Sequence, residues 1–352
     1  MAGLIILGTR PEAIKLIPLI KKAIENHMSL VIVSTDQHDE IITHIFDEHK
    51  LKIDFRLKSK NLSNLNEQLS YYLIELSTLF TDRSFDYVIT QGDTLSAYSG
   101  MLFAYFHKID YLYVESGLRT SDLMNPFPEE GLRVMMSHVA RMNFVPTHIE
   151  KENLEKENIA SNKIMVVGNT GIDFLMEHIE KGRDQNHINT ILLTVHRREN
   201  WSHLEEFYIR LAKFTQDNKH LHLEYPMHFN PNIQKLAFKY LSGIDNISLY
   251  KPLGTRKFYE HLMNAELVIT DSGGVQEEAS FLNKKIIVIR DKTERIYTDE
   301  NTQISPINDA SLFDVVIEML NKKNSSHGFN LFYGDGNASI RIIEWIKKEY
   351  TR

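Results

Sequence analysis

Residues 271–279 read Asp-Ser-Gly-Gly-Val-Gln-Glu-Glu-Ala, directly after the apolar run Leu267 to Thr270 and ahead of the helix-compatible stretch Gln276 to Leu282. That order sets Ser272, Gly273 and Gly274 at a strand-to-helix turn. Glycines there let a ligand approach the backbone, and unpaired N–H groups with the helix dipole attract an anion such as phosphate. A diphosphate fits such a turn. Glu277 and Glu278 come one turn later, and a carboxylate beside a phosphate site can accept hydrogen bonds from ribose hydroxyls. Two readings stand side by side: a nucleoside diphosphate site, and a tight βα turn whose Ser272 only caps a helix.

Other reactive groups also follow apolar runs. Arg10 lies in Gly8-Thr9-Arg10-Pro11-Glu12, where Pro11 suits the first turn of a helix because its missing N–H is no loss. Ligands of open α/β sheets gather at that C-terminal edge. Lys15 faces the same mouth, unless Arg10 simply pairs with an acid and Lys15 is a solvated helix residue. Three carboxylates stand in loops of the first half: Asp93 in Gln91-Gly92-Asp93-Thr94, Glu115 in Val114-Glu115-Ser116-Gly117, and Glu129 after Pro126-Phe127-Pro128. One alone is accounted for as an N-cap or a surface ion pair. Three in successive loops can line one cleft, where clustered carboxylates raise one another's pKa and supply a base near neutrality. In the second half His196 and His228 each follow a strand end; His196 suits proton transfer or phosphate binding, or else capping. Arg295 follows the strand after the Ser272 helix and reaches what that helix binds. No histidine spacing resembles a zinc site, so no metal is implied.

The elements that must hold these groups are legible as a repeating pattern. Gly3–Leu7, Leu30–Ser34, Tyr87–Thr90, Tyr111–Val114, Asn143–Val145 and Ile164–Val167 are short continuous apolar runs separated by helical stretches, the pattern of parallel strands covered on both faces. The pattern restarts with Thr190–Val195, Leu221–Tyr225, Ile247–Leu249, Leu267–Thr270 and Ile286–Ile289. This predicts an α/β protein of two Rossmann-like, doubly wound domains facing a central cleft: residues 1–168 with the carboxylates, and 169–336 with the diphosphate turn. An amphipathic helix, Ser339 to Tyr350 within 337–352, is expected to return to the first domain.

Composition sets outer limits. A chain of 352 residues exceeds what one hydrophobic core usually supports, so two domains are expected. A net charge of −7 supplies no basic face for general nucleic-acid binding. The absence of cysteine excludes disulfides and thiolate metal sites and fits a cytoplasmic protein. The start MAGLIILGTRPEA lacks a basic n-region and turns polar early, so it reads as a buried strand rather than a signal peptide. No apolar run approaches membrane-spanning length.

The segments GTRPEAIKLIPLI, QGDT, VESGLRT, PFPEEGLR, VVGNTGIDFL, VHRREN, HFNPN, DSGGVQEEA, RDKTER and YGDGNAS follow one another from about Leu4 to the final helix. In order and spacing they resemble the non-hydrolysing UDP-N-acetylglucosamine 2-epimerases. The resemblance implies a glycosyltransferase-B fold, a homodimer, no cofactor, and interconversion of UDP-N-acetylglucosamine and UDP-N-acetylmannosamine for cell-surface polysaccharide. The family's reaction removes the C2 proton while UDP leaves anti from C1, giving 2-acetamidoglucal and bound UDP; reprotonation on the other face and re-addition of UDP complete it. It needs a base, an acid, cations on the diphosphate and exclusion of water. By matching motif, Asp93, Glu115, Glu129 and His196 are the implied catalytic set. Arg10, His228, Ser272, Gly273, Gly274 and Arg295 are implied for the diphosphate, Glu278 for the ribose, and Lys15 and Arg133 as supports.

The chain departs from the family pattern in places. Ser116 stands for a usual alanine, Tyr113 for a usual histidine, and Leu132 for the asparagine before the matched arginine; Ile296-Tyr297-Thr298-Asp299 replaces a Pro-Glu-Gly segment. These changes cluster around the sugar-binding half. Gln37-His38 matches part of the family's regulatory Gln-His-Arg segment, but Asp39 and Glu40 follow, which weakens a second nucleotide pocket. Three alternatives remain: a hydrolysing 2-epimerase, a 2-epimerase of a diacetamido-uronic acid nucleotide, and a glycosyltransferase or nucleotide-sugar binder, which needs no trio of acids.

Overall fold

The computed structural model describes residues 2–35, 39–57, 62, 64–179, 189–290, 299–323 and 328–350. The chain divides into two compact units, Met1–Phe174 with Tyr333–Arg352, and Leu175–Phe332. Gln37, His38 and Arg295 lie outside the described residues.

The first unit runs β1 (Ala2–Leu7), α1 (Arg10–Glu25), β2 (Ser29–Ser34), α2 (Asp39–Glu48), β3 (Phe55–Arg56), α3 (Leu65–Leu79), β4 (Tyr87–Gln91), α4 (Leu95–Phe106), β5 (Asp110–Val114), α5 (Glu129–Val139), β6 (Met142–Val145), α6 (His148–Lys156) and β7 (Ile164–Val166), and the boundary after Phe174 falls within α7 (Thr170–His178). Its seven strands are ordered β3-β2-β1-β4-β5-β6-β7, and each described pairing is parallel. Every residue of β4, and all but the first of β1 and β5, is buried, as apolar strands sandwiched between helices must be.

The second unit continues with β8 (Thr190–Thr194), α8 (Leu204–Asp217), β9 (His222–Pro226), α9 (Pro231–Leu241), β10 (Ile247–Tyr250), α10 (Thr255–Asn264), β11 (Leu267–Thr270), α11 (Gly273–Phe281), β12 (Lys285–Val288), β13 (Thr302–Ile304) and α12 (Leu312–Asn321). Its six parallel strands are ordered β10-β9-β8-β11-β12-β13. Each sheet is a Rossmann-like, doubly wound sheet, the pair forming the glycosyltransferase-B class of architecture.

The last helix, α13 (Ala338–Tyr350), belongs to the first unit. The Asp173 carboxylate caps it, accepting from the N–H groups of Ala338 at 3.1 Å and Ser339 at 2.6 Å. Trp345 packs edge-on against Phe144, and the Tyr350 hydroxyl donates to Asp110 at 2.8 Å.

Each apolar run read as a strand is one. The structure adds β3 and β13, edge strands of two and three residues with little apolar signal. Two local expectations change. Glu129 is not in a loop but opens α5. Gly273 and Gly274 lie inside the first turn of α11, with Ser272 as N-cap, so the helix begins three residues earlier than Gln276. Among the described residues no helix is long and apolar enough to cross a membrane.

Candidate functional site

In a doubly wound sheet the loops on either side of the point where strand order reverses diverge and leave a crevice at the strands' C-terminal ends. In the first unit that point lies between β1 and β4, and in the second between β8 and β11. The loops leaving these four strands carry Arg10, Asp93, His196 and Ser272.

At the first reversal a buried carboxylate ties the two loops together. Glu12 accepts from the N–H groups of Gly8 at 2.9 Å and Thr9 at 2.7 Å, from the Thr9 hydroxyl at 2.8 Å, and from the hydroxyl of Thr94, the N-cap of α4, at 2.5 Å. Burial pushes its pKa up to about 7 against the lowering effect of those hydrogen bonds, led by Thr94. Arg10, at the start of α1, is thus fixed relative to Asp93, the residue before Thr94.

Asp93 and Glu115 each pair with a buried cation. Arg133 of α5 bonds Asp93 Oδ2 through Nη1 at 2.6 Å, and its other nitrogens bond Glu130 Oε2 at 3.0 and 2.7 Å. Glu130 also accepts from the N–H groups of Thr120 and Ser121. Glu115 leaves β5 in the left-handed region, φ 63°, and its carboxylate is held between the Lys15 ammonium and the Gln91 amide. Asp93 is thus paired with Arg133 and Glu115 with Lys15, and burial brings the Glu12 carboxyl near neutrality. Glu129 differs from both. Its Oε2 is buried and has no hydrogen-bond partner among the described residues, and a buried polar atom calls for one.

Next to Glu115, Ser116, which departs from the family pattern, forms polar contacts. The Ser116 hydroxyl donates to Asn143 Oδ1 at 2.7 Å and lies 3.1 Å from Ser137 Oγ. Arg119 donates to the same Ser137 oxygen and holds Glu157 through Nε at 2.7 Å and Nη2 at 2.8 Å.

The second reversal has its own buried carboxylate. Asp271, with no exposed surface, accepts from the N–H of His196 at 3.0 Å, the N–H of Arg197 at 2.9 Å and the Asn200 amide at 3.0 Å, and its Oδ1 lies 3.1 Å from His196 Nδ1. Burial favours its neutral form, yet the His196 ring and these donors hold its pKa below the usual carboxylate value. With Nδ1 turned to Asp271, His196 has Nε2 left for a ligand. The His228 ring stacks on His196, centroids 5.7 Å apart at 21°, and its own Nδ1 accepts the Asn230 N–H at 3.2 Å. Two imidazoles thus stand together in the second unit.

Ser272 follows Asp271 directly, and its hydroxyl accepts from Val275 N–H at 3.5 Å. The first-turn N–H groups of Gly273 and Gly274 have no intrahelical acceptor by helix geometry, and a Cβ placed on Gly274 would meet nothing within 4 Å, so the turn is open to an incoming anion. Glu277 is buried, whereas Glu278 is half-exposed and accepts the Tyr259 hydroxyl at 2.9 Å. Of the two acids, Glu278 is the one a ligand can reach.

Sequence reasoning named Glu12 and Asp271 only as members of motifs. Their signal was present: an acid three residues after a threonine at a strand end is a capping box, and an acid ending an apolar strand is a buried charge in need of partners.

Comparisons with known proteins identify the family. The family model described as UDP-N-acetylglucosamine 2-epimerase matches residues 22–347. The UDP-N-acetylglucosamine 2-epimerase of Bacillus subtilis is 35% identical over 362 residues, covering 98% of this chain and 94% of its own. The solved UDP-GlcNAc 2-epimerase of Neisseria meningitidis, bound to UDP-GlcNAc, superposes with a TM-score of 0.88 at 30% identity over 99% of this chain and 100% of its own. That of Methanocaldococcus jannaschii, in complex with UDP-GlcNAc and UDP, gives 0.84 at 34% identity over 99% and 100%. With both sheets, both strand-order reversals and nearly the full length accounted for, the chain belongs to the UDP-N-acetylglucosamine 2-epimerase family.

Proposed function

We propose that this enzyme is a non-hydrolysing 2-epimerase, interconverting UDP-N-acetylglucosamine and UDP-N-acetylmannosamine. The observation that carries the reading is the immobilised acid pair of the first unit: Asp93 on Arg133, and Glu115 between Lys15 and Gln91. A nucleotide-sugar binder has no use for two carboxylates fixed in this way, whereas proton transfer at carbon requires groups held in orientation before substrate arrives.

In this reading a carboxylate of the first unit takes the C2 proton, the C1–O bond to UDP breaks, and 2-acetamidoglucal and UDP remain bound. A second acid protonates C2 from the opposite face, and UDP re-forms the C1–O bond. Asp93, Glu115 and Glu129 are the proton-transfer candidates, the unpartnered Glu129 oxygen supporting its inclusion. His196, His228 and the first turn of α11 take the departing diphosphate, joined by Arg10 and Arg295; Glu278 takes the ribose. The protein acts in the cytoplasm, supplies a ManNAc-type nucleotide sugar for surface polysaccharide, and works as a homodimer. The exposed Ile74 of α3, Tyr105 and Phe106 of α4, and Met135 of α5 support the dimer, because these helices pack side by side and leave apolar surface uncovered.

Amide replacements test the assignment. Asp93→Asn and Glu115→Gln are each expected to lower epimerisation by ~10²-fold or more. UDP affinity by calorimetry should stay near wild type, because the diphosphate groups belong largely to the other unit. Wild-type turnover in either variant would remove that residue from the proton path.

A further inference from the structure

Asp93 and Glu115 leave neighbouring strands, and proton transfer by both requires their two loops to keep one register. We propose that Tyr113 is the positioning residue that enforces it, an inference that rests on the proposed reaction. Tyr113 lies in β5 with no exposed surface, two residues before Glu115. Its hydroxyl donates to the Gly92 carbonyl at 2.9 Å, and the Gly92 N–H donates to the Val114 carbonyl at 3.3 Å.

Both peptide groups of Gly92 are therefore held by β5, one residue before Asp93. Gly92 has φ 77°, so the chain turns sharply there, and strand pairing, which ends at Gln91 and Val114, no longer guides it. Gln91 completes the tie in the other direction by reaching the Glu115 carboxylate. Burial, with Asp93 nearby, drives the Tyr113 phenol far above its ordinary range, so it serves as a fixed donor and exchanges no proton itself.

Tyr111 provides an internal control. It lies two residues earlier on the same face of β5, its ring stacked on Tyr113 at 5.8 Å, and its buried hydroxyl pairs with Thr90 Oγ1 at 2.7 Å inside the strand pair rather than in the turn. Tyr113→Phe and Tyr111→Phe delete the same atom from the same environment, but only the first deletion frees the Asp93 turn.

The experiment measures kcat and KM for UDP-N-acetylglucosamine, UDP affinity, and C2 proton exchange in heavy water for wild type, Y113F and Y111F. Y113F is expected to lose ~10-fold to ~10²-fold in kcat, with a parallel fall in exchange, because a small displacement of a reacting group is costly. KM and UDP affinity should stay within about two-fold of wild type, and Y111F should match wild type in every respect. Wild-type kcat in Y113F, an equal loss in Y111F, or a Y113F protein recovered only unfolded would each overturn the positioning role. A wild type that converts no substrate removes the functional reading and this proposal with it, whereas an active wild type with an equally active Y113F removes the proposal alone.

Discussion

Two buried carboxylates, Glu12 and Asp271, do the same structural task in different sheets, tying together the two loops that diverge where strand order reverses: Glu12 accepts donors from both loops, whereas Asp271 stands in the loop after β11 and accepts donors from the loop after β8. They differ in charge balance. Asp271 has the His196 ring beside it and is held ionised, whereas Glu12 has hydroxyl and amide donors, and burial raises it to about 7. The raised group has a consequence for stability. Below its unfolded pKa of 4.5 Glu12 is protonated in both states and carries no penalty; as pH rises through about 7 the unfolded chain ionises more readily than the folded one. The folded state should therefore lose stability over that window, by about 3 kcal/mol if the full shift is realised. Glu12→Gln cannot titrate, so denaturant unfolding between about pH 4 and about pH 8 should show the wild type falling relative to the variant. Parallel curves would mean that Glu12 ionises at the same pH folded and unfolded.

At the scale of elements, the β5 exit depends on one glycine. Gly117 has φ 91°, and a Cβ there would sit 2.6 Å from the Glu150 carbonyl oxygen at the start of α6, a backbone atom that cannot rotate away. Gly117→Ala combines that clash with a left-handed penalty of roughly 1–2 kcal/mol, so a loss of at least about 2 kcal/mol is expected in thermal or denaturant unfolding. A variant as stable as wild type would show that the β5–α6 contact relaxes freely. Such close approaches were invisible in sequence, where Gly117 was only a letter in a motif. What was legible was what short-range chemistry dictates: buried parallel strands as continuous apolar runs, and the carboxylates Asp93 and Glu115 at strand ends. β3 and β13 escaped because edge strands need few apolar residues, and Glu129 was assigned to a loop because two prolines precede it. The partners of the acids could not be read at all. Arg133 lies 40 residues from Asp93, and Lys15 lies 100 residues from Glu115, so only the folded sheet brings either pair together.

For the whole molecule, the chemistry is divided by unit: acids with their cations in one, and imidazoles with an open helix N-terminus in the other. A hydrolysing relative would use the same diphosphate groups but lose its intermediate to water, releasing UDP and free sugar. The two outcomes separate at C2 and at the glycosyl phosphate bond. The most direct test is a proton NMR time course with UDP-N-acetylglucosamine in heavy water. Deuterium is expected to enter C2 of both UDP-N-acetylglucosamine and UDP-N-acetylmannosamine, with the sugar still linked to UDP as equilibrium is approached. Epimerisation without deuterium at C2, or accumulation of free N-acetylmannosamine and UDP, would contradict it.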